Sequence, residues 1–195
     1  MTSNSTLNLV LDLDQTLIHS FIPESPKLWD QYFKLFNDEK NFLMMVRQAS
    51  FICFVFMRPG LLDFLLHAQK YFTLYVYSAG TNEYVKTILK AILSKLPSVH
   101  IAGLWTKEHM VNDKKCIENY LDIHKTYIID DIPSYWRQKC FQIKPFISYI
   151  EKINIDEKTN KRHLILEKQF KDDDTYLKDY LNKVIEIVNL EKKIS

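Results

Sequence analysis

The feature that most constrains this chain is an apolar run that ends in two carboxylates. Residues 7–11 suit a buried β-strand, and Asp12 and Asp14 follow it directly, with a hydroxyl at Thr16. Two carboxylates at the end of a core strand are costly to bury unless they have partners. A hard cation is one such partner and a phosphate is another, because Mg²⁺ prefers oxygen ligands and an ionised aspartate can form an aspartyl-phosphate. An ordinary turn, in which aspartate is common, is the alternative that this segment leaves open.

Length and composition favour one globular domain over residues 1–195. Of these residues 47% are hydrophobic and 26% are charged, which is ordinary for a soluble protein. The formal net charge of +2 is too small to indicate a nucleic-acid or membrane surface, and no apolar stretch is long enough to span a bilayer. The three cysteines lack zinc-site spacing and are interpreted as reduced thiols. We expect a soluble intracellular protein, nuclear or cytoplasmic, whose oligomeric state the sequence does not indicate.

Strands and helices alternate after the opening strand. Apolar runs predict three further buried strands, at 72–77, 126–129 and 140–143. Helical spacing of apolar residues predicts four helices, at 61–68, 84–96, 114–121 and 176–188. Short strands separated by helices predict the α/β class, with a Rossmann-like parallel sheet and helices on both faces.

Two segments depart from this alternation. Residues 20–57 are predicted to form a loop and a small β-hairpin, with strands at Phe42–Val46 and Phe51–Met57. Residues 147–170 have room for an additional hairpin.

Polar side chains follow three of the predicted strands. They are Asp12, Asp14 and Thr16 after the first strand, Ser78 after the second, and Asp130 with Asp131 after the third. In a parallel α/β sheet the ligand site lies beyond the carboxyl ends of the strands, so these side chains should meet at one edge. Three loops that become polar at the same edge are hard to explain by turn chemistry alone.

These blocks resemble the haloacid dehalogenase superfamily of aspartate-nucleophile phosphatases. They are most similar to the branch that acts on the C-terminal domain of RNA polymerase II, the TFIIF-associating and small C-terminal-domain phosphatases. That branch typically opens with Asp-Leu-Asp-Glu-Thr-Leu-Val-His-Ser, and residues 12–20 read Asp-Leu-Asp-Gln-Thr-Leu-Ile-His-Ser. Four later blocks also match, at Arg58–Gly60, Tyr77–Tyr84, Ile128–Asp131 with Trp136, and Ile143–Phe146.

The resemblance implies a Mg²⁺-dependent phosphatase. Asp12 would be the nucleophile, and Asp14 would protonate the leaving group and then activate water. Asp12, the backbone carbonyl of Asp14 and Asp130 would hold the Mg²⁺, with Asp131 close by or bound through water.

The resemblance also implies a set of phosphate-binding groups. They are the hydroxyls of Thr16 and Ser78 and the backbone N–H groups of Ala79 and Gly80. A cationic lysine is expected about fifteen residues before the last aspartate pair. Lys115 fits better than Lys114, because Ile117 follows Lys115 at the branch's Lys-x-apolar spacing.

This interpretation leaves the role of Arg58 undecided and gives His19 a structural role. Arg58 could contact the substrate phosphate or its flanking residues, and it could equally be a surface turn residue. His19 has no partner near it in sequence, and we expect it to make a structural hydrogen bond. Four aromatic residues ahead of the hairpin could line a substrate groove, namely Phe21, Trp29, Tyr32 and Phe33.

The substrate class follows from the absence of a cap. Small-molecule members of the superfamily usually carry a cap domain, for which residues 16–58 and 78–115 are too short. An open site favours a phosphoprotein with phosphoserine or phosphothreonine in an exposed segment, and the polymerase tail is the branch's best-known substrate. The alternatives are a catalytically silent binding or scaffold protein and a small-molecule phosphatase. Silent relatives generally lose an aspartate, and this chain retains Asp12, Asp14 and Asp130.

Overall fold

A parallel five-stranded sheet forms the centre of the protein. The computed structural model describes residues 7–23, 29–47, 52–156, 161–170 and 175–194. The strands of this sheet are β1 (Leu7–Leu11), β5 (Phe72–Tyr77), β6 (Ile101–Trp105), β7 (Thr126–Asp130) and β8 (Phe141–Gln142). They lie in the order β6-β5-β1-β7-β8, which confirms the predicted α/β class.

The register of the central strands brings the predicted polar clusters to one edge. Leu11 at the end of β1 is level with Val76 of β5 and with Ile129 of β7. All five strands run parallel, so the residues that follow β1, β5 and β7 emerge on the same side. Asp12, Ser78 and Asp130 therefore become neighbours.

The two faces of this sheet are covered differently. Three helices pack on the face that carries Leu9 and Leu11, and they are α2 (Leu61–Ala68), α3 (Asn82–Ser94) and α4 (Tyr176–Ile194). Val10 and Ile128 on the opposite face pack against Trp105 at the end of β6 and against Ile117 and Trp136, which lie between strands. Short 3₁₀ turns rather than α-helices shape those segments.

The predicted helix at 114–121 is wrong. Asn112 and Asp113 have positive φ values of 50° and 56°, which begin a left-handed turn that a right-handed helix cannot continue. Lys114 then forms a bridge with Val111, and Lys115 forms a bridge with Trp136. The prediction also missed β6, a short strand that contains Gly103.

A second sheet lies in the segment predicted to be a loop and a hairpin. The antiparallel strands β2 (Ile18–Phe21), β4 (Ile52–Met57) and β3 (Phe42–Arg47) lie in the order β2-β4-β3. Helix α1 (Trp29–Phe36) joins them through an aromatic cluster that includes Phe21, Tyr32, Phe36, Phe54 and Phe56. The sequence prediction contained the β3–β4 hairpin, whose turn lies outside the described residues, and it missed β2 and α1.

Two long antiparallel strands occupy the segment where an additional hairpin was predicted. They are β9 (Tyr149–Asp156) and β10 (Lys161–Lys168), with Tyr149 opposite Lys168. The acidic residues 172–174 lie outside the described part of the chain. No helix within the described ranges has both the length and the apolar character needed to cross a bilayer.

Candidate active site

Four aspartates and one lysine meet at the carboxyl edge of the parallel sheet. They line a small cavity of about 100 Å³. Its walls are formed by Asp12, Asp14, Gln15, Ser78, Ala79, Lys115, Asp130, Asp131, Ile132 and Tyr135. The three sequence-distant clusters thus form one site, as the strand-end argument predicted.

The loop after β1 is held in place by backbone hydrogen bonds. The N–H of Asp12 donates to the carbonyl of Ile129 at 3.0 Å, which extends the pairing of β1 with β7 by one residue. Gln15 then adopts a positive φ of 61°, and its N–H donates to the carbonyl of Ile18 at 2.6 Å. This tight turn keeps Asp12 and Asp14 at the strand end instead of letting β1 continue.

Lys115 supplies the buried cation of the site. Its side chain is 1% exposed, and Nζ lies 2.6 Å from Asp12 Oδ1 and 2.6 Å from Asp130 Oδ2. Lys114 points the other way and donates to the carbonyl of Ser134 at 2.5 Å. Adjacent residues in extended backbone face opposite sides, so the bridges of this segment separate the two lysines. The sequence argument chose Lys115 from the Lys-x-apolar spacing of the resembling branch, and the extended conformation is the physical reason for its orientation.

Asp130 is the most extensively held carboxylate of the site. Its Oδ2 accepts from Lys115 Nζ and from Trp136 Nε1, the latter at 2.7 Å, while its Oδ1 accepts from the N–H of Ile132 at 2.7 Å. The Trp136 ring centroid lies 5.3 Å from Lys115 Nζ, so the indole also contacts the ammonium group. These donors fix the orientation of both the carboxylate and the lysine.

Burial and charge shift the ionisation of these groups. Burial raises the pKa of Asp12, and the ammonium of Lys115 acts against this shift. Burial also raises the pKa of Asp131, and the neighbouring Asp130 carboxylate raises it further. For Lys115, burial alone would lower the pKa, but the carboxylates of Asp12 and Asp130 raise it above its usual value. The site is therefore short of positive charge.

The residues present fit a hard divalent cation. Asp12, Asp130 and Asp131 each offer a carboxylate oxygen, and these oxygens lie within 4.8 Å of one another. The donors are all oxygens, which is the ligand set that Mg²⁺ prefers. Three carboxylates against one ammonium leave a negative charge that a divalent ion would neutralise. The side chain of Asp14 is not part of this group, and the expected ligand role of its backbone carbonyl stays a prediction.

Thr16 does not face the cavity, contrary to the expected phosphate contact. Its side chain is fully buried, and its hydroxyl donates to Asp131 Oδ1 at 3.2 Å while accepting from the N–H of Asp131 at 3.1 Å. Both hydrogen-bonding functions of the hydroxyl are thus used to join the loops after β1 and β7. Ser78 and Ala79 do line the cavity, and the N–H of Gly80 donates to Ser78 Oγ at 3.0 Å rather than pointing at a ligand.

For Arg58, the expected surface turn is wrong, whereas a contact with residues that flank the substrate phosphate stays a prediction, since Arg58 lines a separate cavity with Lys144, Phe146 and Tyr176. The Arg58 side chain is 2% exposed, so it is not a surface turn residue, and it does not line the aspartate cavity. Nη1 donates to the carbonyl of Thr16 at 3.0 Å, and Nη2 donates to the carbonyl of Lys144 at 2.7 Å. The guanidinium therefore joins the loop after β1 to the segment after β8.

Comparison with known proteins decides the family. A sequence model of the NLI interacting factor-like phosphatases matches residues 7–175, which is most of the chain. The protein belongs to the NLI interacting factor-like phosphatase family. The resemblance to the C-terminal-domain phosphatase branch of the haloacid dehalogenase superfamily is thereby confirmed.

The chain spans less than half the length of the individual relatives it matches. A C-terminal domain phosphatase of RNA polymerase II from Schizosaccharomyces pombe is 28% identical over 93 residues, which are 44% of this chain and 13% of that protein. A structure of Fcp1, an essential RNA polymerase II CTD phosphatase, has a TM-score of 0.60 at 21% identity, covering 74% of this chain and 43% of the chain in that structure. Fission yeast Fcp1-R271A bound to beryllium fluoride has a TM-score of 0.59 at 22% identity, with coverages of 72% and 42%. At these identities the structures show a common fold.

Two side chains of this family member contact the aspartates although the sequence argument assigned no role to either. Tyr84 donates from its hydroxyl to Asp14 Oδ1 at 2.6 Å, and the indole of Trp136 donates to Asp130. Tyr84 was interpreted as part of the apolar stripe of α3. The one available signal was its place in the matching block Tyr77–Tyr84, which carries a polar group into the first turn of that helix.

His19 makes the structural hydrogen bond that was expected of it. Its Nδ1 accepts from the N–H of Ser148 at 3.1 Å and lies 2.7 Å from Ser148 Oγ. Burial lowers the pKa of His19 to about 4, so the imidazole is neutral in the folded protein at pH 7. The aromatic residues Phe21 and Tyr32, which were expected to line a substrate groove, are instead buried in the core of the second sheet.

Proposed function

We propose that this protein is a Mg²⁺-dependent phosphoprotein phosphatase that releases phosphate from phosphoserine or phosphothreonine through an aspartyl-phosphate on Asp12. The observation that carries the proposal is the buried Lys115 ammonium, 2.6 Å from both Asp12 and Asp130 at the carboxyl edge of the sheet. Membership of a phosphatase family supports the same chemistry. A catalytically silent protein would have little need for a buried cation among four aspartates, because such a cluster is costly to maintain.

The first half of the reaction transfers the phosphoryl group to the protein. An Asp12 carboxylate oxygen forms a bond to phosphorus while the bond from phosphorus to the seryl or threonyl oxygen breaks, and Asp14 gives that oxygen its proton. Lys115 offsets the negative charge that converges on Asp12, and the hydroxyl of Ser78 donates to a phosphate oxygen.

The second half regenerates the protein. Water attacks phosphorus, Asp14 accepts a proton from that water, and the bond between phosphorus and the Asp12 oxygen breaks to release inorganic phosphate. Asp12, Asp130 and Asp131 would hold the Mg²⁺, with the backbone carbonyl of Asp14. When bound, the ion neutralises charge on the phosphate oxygens and favours the ionised form of Asp12.

A protein substrate is favoured by what surrounds the cavity. The described part of the segment between β1 and α2 forms a small antiparallel sheet with one short helix, and its aromatic side chains pack in one cluster with Phe146 and Tyr149. A site flanked in this way remains accessible to an extended phosphopeptide. The S. pombe relative is named for the C-terminal domain of RNA polymerase II, so phosphorylated repeats of that tail are the first substrates to test.

A phosphopeptide panel tests the proposal. Phosphate release would be measured with tail repeats phosphorylated at different serines, with unrelated phosphopeptides and with small phosphate esters, each in Mg²⁺ and in excess chelator. We expect Mg²⁺-dependent release from at least one peptide. Tight peptide binding without release would favour a silent binding protein, and release from the small esters alone would favour a small-molecule phosphatase.

Substitution of the nucleophile tests the covalent step. Asp12→Asn should abolish phosphate release, because an amide of similar size is a far poorer nucleophile, while the folded structure should be retained. The control is Asp63→Asn, at an exposed position of α2, which should release phosphate like the wild type. Near-wild-type turnover by Asp12→Asn would contradict the aspartyl-phosphate mechanism.

A further inference from the structure

The hydroxyl of Tyr84 contacts the proposed acid–base residue rather than the apolar core. It lies 2.6 Å from Asp14 Oδ1 and 2.5 Å from Ser20 Oγ. The tyrosine is 9% exposed and belongs, through its ring, to the main hydrophobic cluster. Three elements therefore meet at one hydroxyl, namely the loop after β1, strand β2 and the first turn of α3.

Each hydroxyl has only one hydrogen to donate, and this determines the direction of the two hydrogen bonds. A tyrosine hydroxyl has a single hydrogen, and Tyr84 donates it to Asp14 Oδ1. The Ser20 hydroxyl must then donate to the oxygen of Tyr84. The chain of donors runs from Ser20 through Tyr84 to Asp14, and it makes Oδ1 of Asp14 an acceptor. In the protonated carboxyl, the acidic hydrogen then belongs on the other oxygen, Oδ2.

We propose that Tyr84, supported by Ser20, is a positioning residue for the acid–base steps: by holding Oδ1 of Asp14 it directs Oδ2 and its proton toward the leaving oxygen. The inference rests on the proposed function, in which Asp14 is the general acid. When the bond from phosphorus to the seryl oxygen breaks, the electron pair goes to that oxygen and the Oδ2 proton follows. When water attacks the aspartyl-phosphate, Oδ2 accepts the proton back.

The packing around Tyr84 makes the position of its hydroxyl definite. A Cβ at Gly80 would lie 2.9 Å from Cδ1 of the Tyr84 ring, so the chain approaches this ring as closely as a glycine allows. The ring also belongs to the hydrophobic cluster that contains Val85 and Ile88. A ring held by rigid packing can hold a carboxyl group in one orientation, which is the condition for efficient proton transfer.

The consequence differs between substrates. A leaving oxygen such as that of 4-nitrophenol is stable as an anion and needs little help from an acid, whereas phenol or a seryl oxygen needs the proton. Removing the Tyr84 hydroxyl should therefore slow the cleavage of substrates with poor leaving groups selectively. If Tyr84 served only the stability of the fold, its substitution would slow the cleavage of all substrates by the same factor.

The experiment compares Tyr84→Phe with wild type on phenyl phosphate, 4-nitrophenyl phosphate and a phosphoserine peptide in Mg²⁺. The parameter is kcat/KM, which reports the steps up to and including departure of the leaving group. For phenyl phosphate and the peptide we expect kcat/KM to fall about 10- to 100-fold. For 4-nitrophenyl phosphate we expect a loss of less than about threefold. The larger loss is only part of the whole contribution of general acid catalysis, which is about 10²- to 10⁴-fold. Ser20→Ala should show the same selectivity between substrates, with a smaller loss of kcat/KM.

The matched control is Tyr127→Phe, which removes a hydroxyl from an equally buried tyrosine at the opposite end of the sheet. It should leave the ratio between the two aryl phosphates unchanged. An active Tyr84→Phe protein that loses the same factor on every substrate, or loses nothing, overturns the inference while leaving the proposed function standing. A wild type that hydrolyses none of the three substrates overturns both.

Discussion

A single buried ammonium group organises the charges of the site. Lys115 contacts Asp12 and Asp130 at hydrogen-bonding distance, and Trp136 covers it from one side. An ammonium shared by two buried carboxylates is stabilised by both, and its loss leaves them with uncompensated charge. The adjacent Lys114 carries the same charge on an exposed surface, where an interaction with a carbonyl contributes little.

The two lysines give a matched pair of predictions at this scale. Lys115→Met, which keeps an unbranched side chain one atom shorter, should lower phosphate release by a factor that corresponds to about 3 kcal/mol, because one preorganised charge is removed. Lys114→Met should change neither turnover nor, beyond about 0.5 kcal/mol, the free energy of unfolding. Steady-state kinetics and urea unfolding of both variants check this. Reversed phenotypes would mean that Lys114 is the residue that serves the phosphate.

At the scale of elements, the site depends on how closely α3 approaches the end of β5. The turn Ser78–Thr81 joins them, and Gly80 lets the first turn of α3 close against it. An added Cβ at Gly80 would lie 2.9 Å from the Tyr84 ring, 3.1 Å from Val85 Cγ2 and 3.2 Å from Ser78 Oγ. Because Tyr84 is hydrogen-bonded at its far end, its ring cannot turn away without releasing Asp14.

Gly80→Ala should therefore reduce phosphate release by about tenfold or more and destabilise the fold by about 1–3 kcal/mol through overpacking. Gly103→Ala is the control, since its Cβ would meet the Tyr75 ring at 3.0 Å. Tyr75 is half-buried and does not line the aspartate cavity, so a shift of its ring should leave the aspartates in place. Turnover and thermal unfolding of both variants are the measurements, and equal turnover in the two would contradict a role for the close approach at Gly80.

At the scale of the whole molecule, His19 connects β2 to the chain just before β9. Its neutral ring accepts a backbone N–H from Ser148, whose side chain is fully buried. The pKa of His19 is lowered by burial to about 4, from 6.5 in the unfolded chain. Between those values the unfolded chain binds a proton that the folded protein excludes, so the stability is complete above pH 6.5 and falls as the pH decreases toward 4.

His19→Asn should weaken this pH dependence, because the amide oxygen can accept the same N–H and does not titrate. Linkage predicts that the loss of unfolding free energy between about pH 7 and pH 5 is smaller by about 2 kcal/mol in the variant than in the wild type. Urea unfolding in metal-free buffer at the two pH values measures it, with the exposed His100→Asn as control. An unchanged difference in His19→Asn would show that other groups carry the acid sensitivity.

The amino-acid sequence alone determined which strands are followed by polar residues of the candidate active site. The run before Asp12, the run before Ser78 and the run before Asp130 are local patterns, and a parallel sheet brings their ends together whatever the surrounding loops do. Residue type then limited the chemistry, because four aspartates and a lysine at one edge favour a cation and a phosphate. The α/β class and the family followed from the same blocks.

Tertiary structure decided what each polar group faces. The hydroxyl of Thr16 is hydrogen-bonded to Asp131, the guanidinium of Arg58 donates to two backbone carbonyls, and the hydroxyl of Tyr84 donates to Asp14. Each of these partners is at least 42 positions away in the chain, and no local pattern encodes a contact over such a separation. The extended conformation at Lys115 was likewise decided by its bridge to Trp136, since a local helical pattern is overridden when a distant strand-like partner satisfies the backbone hydrogen bonds better.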